Sequence, residues 1–278
     1  MKTMNWSCTD VSRFWQLADE LQDQTIDHAK GLFSFAENAS PKELMALLVQ
    51  YRFFTIYYIP DIALLIARMQ GGKLRSFLAD ILSDELGYGD PLKAHPRLYD
   101  DFLKSIGAAD EDLDTLAIKD NLDLLDNVRR KLLEPGKSTA YGIGLRGMGG
   151  ECVCQIYLSR FHEHIVKNPY IQARKSSIDW RFWDLHVGDH DIDHRVRTRQ
   201  LINDEIVAHG ASEVAELGQG YCESMTSWAS FWENIFESVK SQHVNRVRVS
   251  HTVNLQMPID SNRSSTTDAA QSELGALA

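Results

Sequence analysis

No stretch of this chain approaches the roughly 20 uninterrupted apolar residues that a bilayer-spanning helix needs, so a membrane protein is not expected. The opening residues, Met1-Lys-Thr-Met-Asn-Trp-Ser-Cys8, lack the apolar run of a secretory signal. Positive charge is also short: 29 lysines and arginines stand against 39 acidic residues, for a net charge of −10. An electrostatic grip on nucleic acid or anionic lipid is therefore excluded as the main activity. Cysteine is sparse. Cys8, Cys152, Cys154 and Cys222 are scattered and out of zinc-ribbon spacing, which argues against a disulfide scaffold. Cys152 and Cys154, two apart on a helix, would point about 200° apart and read as small buried hydrophobes. The chain has no internal repeat and, before residue 243, no run of alternating residues that would build a sheet. Together these absences suit a cytoplasmic protein, and 278 residues suffice to bury a core without staples.

What is present is helical periodicity. Residues 11–36 read as one long amphipathic helix. Ser40-Pro41-Lys-Glu43 forms a helix start in which Ser40 caps, Pro41 suits the first turn and Glu43 completes a capping box. The helix from Leu44 to Met69 is apolar nearly all round, as a central bundle helix is, and Pro60 should bend or break it. Further helices are expected at 73–86, 96–107, 121–133, 141–166, 170–210 and 212–241. Gly71-Gly72, Gly87-Tyr-Gly-Asp-Pro91 and Pro135-Gly136 interrupt them. The fold class is therefore all-α: a single bundle of about seven to nine helices over residues 8–242. A polar tail follows over 243–278. Its valines at 247, 249 and 253 fall on alternate positions, the pattern of a lone strand or an extended arm laid on the bundle.

Three segments could carry chemistry. In Leu185-His186-Val-Gly-Asp189-His190-Asp191-Ile-Asp193-His194, three histidines recur every four residues. On a continuous helix each such step turns only about 40°, so all three share one stripe. Imidazoles and carboxylates crowded on one face are costly unless water or a cation reaches them, and a divalent metal does so directly. A solvated His- and Asp-rich surface is the plainer alternative, but Trp180, Phe182, Trp183 and Leu185 beside it argue against full exposure. In the second segment, Glu85 closes an apolar helix and His95-Pro96 opens the next. In the third, Gly149-Gly150 precede Glu151 and let another backbone or a ligand come close. Each glutamate alone is ordinary. Two carboxylates and several histidines on separate helices are the inventory of a carboxylate-bridged diiron site.

Together the segments resemble the heme-oxygenase-like diiron oxidases, or iron-containing redox enzymes, of the TENA/PQQC-like superfamily. The resemblance covers roughly residues 45–240. It is carried by Asp84-Glu85-Leu86-Gly87, Gly89-Asp90, His95-Pro96 and Gly107, by Gly-Met-Gly-Gly-Glu151, and by the histidine cluster. It implies a heme-oxygenase-like fold with Glu85, His95, Glu151, His186, Asp191 and His194 as ligands of two Fe(II) ions, and O2 as co-substrate. The family's last motif reads His, three residues, Asp, two residues, His; here one extra residue intervenes. Either a π-bulge absorbs it, leaving His186, Asp191 and His194, or His190 replaces the aspartate and Asp193 takes the last position. The resemblance further implies oxidation of a small amino-acid-like or carboxylic-acid substrate by C–C cleavage, desaturation or N-oxygenation, in specialised biosynthesis. Arg52 and Tyr58 on the central helix are candidate substrate-binding residues, Arg52 by a bidentate grip on a carboxylate or, equally, as a structural ion pair. A homodimer is compatible with such a bundle. The rivals are a metal-independent TENA/PQQC-like enzyme, a non-catalytic helical binding protein, and a ferritin-like protein, whose paired Glu-x-x-His motifs are missing here.

Overall fold

The computed structural model describes residue 6 and residues 10–114, 116–241 and 245–248. The chain is all-α, and the compact unit runs from Met1 to Arg248. Two long helices form its axis: α3, Pro41–Arg68, and α13, Ala211–Lys240. The capping box at the start of α3 forms as expected. The Ser40 amide donates to Glu43 Oε2 at 2.9 Å, and the Glu43 amide donates back to Ser40 Oγ at 3.4 Å. Pro60 does not break α3, which runs helical through it. An internal proline costs about 3 kcal/mol. The apolar side chains that α3 buries along most of its length, among them Leu44, Leu48, Tyr51, Phe54, Ile62 and Leu65, outweigh that cost.

Around the axis stand α1, Phe14–His28, and α2, Lys30–Asn38. They are two helices rather than the expected single one. Ala29 (φ −85°, ψ 0°) lets α1 pack on α13 while α2 packs on α9, Cys154–Ile165. α4, Lys73–Glu85, and α5, His95–Ser105, both pack on α3. After a short turn, α6 at Asp110–Leu113, α7, Lys119–Leu133, joins α3 and α13. α8, Thr139–Gly142, runs directly into a π-helical segment, Ile143–Glu151. A continuous helix over 141–166 is thus replaced by α8, the π segment and α9.

The expected helix over 170–210 is also divided, into α10, Pro169–Gln172, α11, Arg181–Val187, and α12, Asp189–Glu205. Gly188 separates the last two in an extended conformation (φ −90°, ψ −172°). A Cβ there would sit 2.4 Å from the Asp184 carbonyl oxygen, so the chain can turn this tightly only at glycine. The start of the tail does lie on the bundle: β1, Ala117–Ile118, pairs antiparallel with β2, Arg246–Val247. Gln50 of α3 pins β1 from below, donating to Leu116 O and accepting from the Ile118 amide, both at 3.1 Å. The valines at 249 and 253 lie outside the described residues. No helix among the described residues is long and apolar enough to cross a membrane.

Candidate metal centre

A small pocket opens between α3, the end of α4, the start of α5, the end of the π segment, α11 and α12. Its polar lining consists chiefly of Glu85, His95, Glu151, His186, Asp191 and His194. All six are residues the sequence singled out, brought together from five elements. Glu85 is the last residue of α4 and His95 the first of α5, and a turn through Gly87 (φ 75°) and Gly89 (φ 88°) folds them together.

The donor geometry suits a cation. Glu85, His95 and His186 each offer a ligand atom, all within 4.8 Å of one another. His95 Nδ1 lies 3.2 Å from Glu85 Oε2, yet it is buried with no hydrogen-bond partner. A buried imidazole nitrogen facing a carboxylate at poor hydrogen-bond geometry is an arrangement a divalent metal can bridge. The other ring nitrogen of His95, Nε2, lies 3.8 Å from Asp84 Oδ1, the outer carboxylate that commonly orients a metal-binding imidazole. His186 Nδ1 lies 2.7 Å from the Phe182 carbonyl oxygen. A carbonyl only accepts, so Nδ1 carries the proton and Nε2 is left with a free lone pair. The His95 and His186 rings are 4.8 Å apart.

A second group stands beside the first. His194 Nδ1 lies 3.8 Å from Glu151 Oε2 and 3.9 Å from Asp191 Oδ1. The Tyr58 hydroxyl donates to Glu151 Oε1. Burial pushes the Glu151 carboxyl up to about 8, with the Asp191 and Glu85 charges adding to it against the Tyr58 hydrogen bond. Asp191 is pushed up to about 6, again mainly by burial. Burial alone would lower His95, but Glu85 and Asp84 override it and raise the imidazole to about 11. His186 falls to about 4 through burial and the neighbouring His95. Without a metal the site therefore holds protons where a dication would sit, which is the expected electrostatics of a metal-free carboxylate–imidazole cluster.

The helix break at Gly188 changes the geometry expected of the histidine cluster. His186 belongs to α11, whereas His190, Asp191 and His194 belong to α12, so the three histidines do not share one continuous stripe. The extra residue is taken up by this break and not by a π-bulge. His190 does not line the central space; its Nε2 is bonded to Asp84 Oδ2 at 2.6 Å and its side chain is partly exposed. Asp191 does line it. Asp193 is exposed, so the structure does not bring His186, His190 and Asp193 together. Asp84, His190 and His194 nonetheless form a second compact group of potential donors, bordering the first.

Of the two substrate-binding candidates, Tyr58 lines the space and Arg52 does not. Arg52 grips Asp100 through Nε and Nη2 at 2.5 and 3.0 Å and is a structural ion pair between α3 and α5. His162 stacks on Trp183, and His164 pairs with Glu37 at 2.9 Å; both stay out of the site. Gly150 does permit a close approach: a Cβ there would come within 2.6 Å of the Tyr58 ring. Sequence reasoning missed Asp84, whose role appears only when two histidines converge on it. It also missed Cys154, which lines the space with its Sγ 3.8 Å from the Tyr51 hydroxyl, because the π segment and the turn after it defeat regular helical spacing.

The profile of the iron-containing redox enzymes matches residues 45–228, and the chain belongs to that family. No curated protein matches it significantly. Among solved structures it is similar to a CADD-like protein of unknown function from Nostoc punctiforme, with a TM-score of 0.62 and 17% identity, covering 81% of this chain and all of the other. It is also similar to a TenA homolog from Pseudomonas syringae pv. tomato, with a TM-score of 0.61 and 14% identity, covering 85% of this chain and all of the other. At these identities the likeness establishes the all-α fold alone, and the family's iron draws attention to the carboxylate–imidazole cluster.

Proposed function

We propose that the protein is a non-heme diiron oxidase or oxygenase that uses O2 to oxidise a small carboxylic-acid or amino-acid-like substrate. The observation that carries this is the lining of three carboxylates and three imidazoles, in which Glu85, His95 and His186 offer donor atoms all within 4.8 Å of one another. Glu85, His95 and His186 would hold one Fe(II). Asp191 and His194 would hold the other, with Glu151 neighbouring both groups. His190 is then an outer residue that fixes Asp84 and, through it, His95. Iron in such a site supplies O2 binding and the oxidising power for hydrogen abstraction or oxygen insertion.

The chain's own residues set the conditions for that chemistry. Tyr58 holds Glu151 in place by its hydroxyl. Tyr51, Phe54 and Phe182 line the space and give an apolar surface for the substrate body. Asp84 holds His95 in orientation. A hydrolytic reading would need an activated nucleophile. Cys154 is the thiol in the lining, and burial pushes it well above its ordinary range, away from the thiolate form.

The test is O2 consumption by iron-loaded protein across a panel of free amino acids and carboxylic acids. Uptake stimulated by a member of the panel, and lost in Glu151→Ala, is expected. Equal turnover of that compound by chelator-treated protein would favour the metal-independent reading instead.

A further inference from the structure

The division of α1 from α2 opens a wedge against α13. At Ala29 the chain turns; α1 stays on α13, while α2 leaves it for α9. Between them lies a cavity of about 200 Å³. An enclosed apolar cavity of about 150 Å³ holds a benzene ring, so this one has room for a ring-sized body. One wall is a single stripe of α13: Ala229, Trp232, Glu233, Phe236 and Glu237, at i, i+3, i+4, i+7 and i+8. His28, Ala29 and Leu32 face it.

The depth of this cavity is apolar and its mouth is acidic. Leu32, Ala229 and Trp232 are buried, whereas His28, Glu233 and Glu237 are exposed. Among the described residues no lysine or arginine lines it. Both faces of Trp232 are covered, by Tyr51 and Tyr157 at 5.2 and 5.1 Å between ring centres, so the indole meets the cavity with an edge. Its Nε1, on the edge of the indole, is a buried donor without a hydrogen-bond partner. Glu233 Oε2 lies 3.5 Å from His28 Nε2. The chain's own Lys240 shows what the mouth attracts. Its Nζ lies 3.4 Å from the Phe236 ring centre and 3.5 Å from Glu237 Oε1, an ammonium held by an aromatic face and a carboxylate together.

We propose that this cavity is a binding site for a small organic ammonium with an apolar body. The body enters between Leu32, Ala229 and the edge of Trp232, and the cation stays at the mouth between Glu233, Glu237 and the Phe236 ring. Burial of the body supplies most of the affinity. The exposed carboxylates and the ring select for positive charge, each modestly because solvent screens them. An acceptor on the body would also serve Trp232 Nε1. The site is separate from the carboxylate–imidazole centre, with which it shares no lining residue, and it stands independently of the oxidase reading. The two adjoin through the stacking of Trp232 on Tyr51, which lines the metal centre.

The experiment is calorimetric titration of the full chain at pH 7 with 2-phenylethylamine, which is then an ammonium, against 2-phenylethanol as its neutral counterpart. The amine should bind about tenfold tighter than the alcohol, the combined scale of two screened ion pairs and a cation–π contact. Added salt should weaken the amine and leave the alcohol unchanged. The double variant Glu233→Gln/Glu237→Gln, at two exposed positions, should remove most of the preference for the amine without touching the fold. Lys240→Met removes the competing ammonium and should tighten the amine by about two- to fivefold. Ala229→Leu should fill the cavity and abolish binding of both compounds. No binding of the amine, an alcohol that binds as tightly, or a preference for the amine that survives in the Glu233→Gln/Glu237→Gln variant would overturn the proposal.

Discussion

At the scale of single residues, the sharpest contrast lies between neighbours. Asp191 lines the central space, whereas His190 is bonded to Asp84 outside it. Asp191→Ala should therefore remove one of two bound irons. His190→Ala and Asp84→Asn should keep the stoichiometry and weaken affinity by about 10- to 100-fold, as loss of an outer partner does. Metal analysis after anaerobic loading separates the two outcomes. The histidine cluster stood out by its spacing, whereas Glu85, His95 and Glu151 are each ordinary alone and were tied to it by the resemblance to the iron-containing redox enzymes. The sequence could not choose between His190 and Asp191. That choice depends on the orientation of α12 after the break at Gly188, which helical periodicity does not encode. Arg52 was open between two roles for the same reason, since its partner Asp100 lies on another helix.

The protonation of these residues has a measurable consequence. Folding raises Glu151 to about 8 and His95 to about 11, while the unfolded chain releases those protons near 4.3 and 6.5. Between pH 7 and 9 the folded metal-free protein thus binds more protons than the unfolded chain, and its stability falls as pH rises. The urea midpoint of the metal-free protein should decline across that window. At pH 7, loading the site should release about two protons, from His95 and Glu151, detectable with a pH indicator in weak buffer. A midpoint that rises with pH would contradict the assigned protonation.

At the scale of elements, the site is made where helices stop being regular. Glu85 ends α4, His95 begins α5, Glu151 ends a π segment, and His186 and Asp191 flank a one-residue break. Such irregularities aim side chains from several elements at one point, and π segments recur at functional sites for this reason. They are also what the sequence conceals most. A regular apolar period reads the same across residues 141–166 whether or not the backbone bulges, and Ala29 carries no signal for the division of α1 from α2. Gly188→Ala should cost about 1–3 kcal/mol through the clash with the Asp184 carbonyl. That would lower the melting temperature by roughly 2–4 °C per kcal/mol. It should also weaken metal binding, because the break sets His186 against Asp191. A variant with unchanged melting and unchanged iron affinity would show that the break is incidental.

At the scale of the whole molecule, the fold class was the most legible feature. Helix starts, glycine stops and the all-round apolar α3 are local signals, and the bundle follows from them. Less legible was the pairing of residues 246–247 with 117–118, a contact between distant segments held by Gln50. A chain ending at Ser241 should melt lower than the full chain, because it loses that pairing. The central claim concerns what fills the space between Glu85, His95, Glu151, His186, Asp191 and His194. Its most direct test is anaerobic Fe(II) titration of the purified full chain, with the Glu85→Ala/His186→Ala double variant alongside. Uptake approaching two irons per chain, reduced by at least one in the double variant, is the expected result. No uptake by the wild-type chain, or equal uptake by the variant, would contradict it.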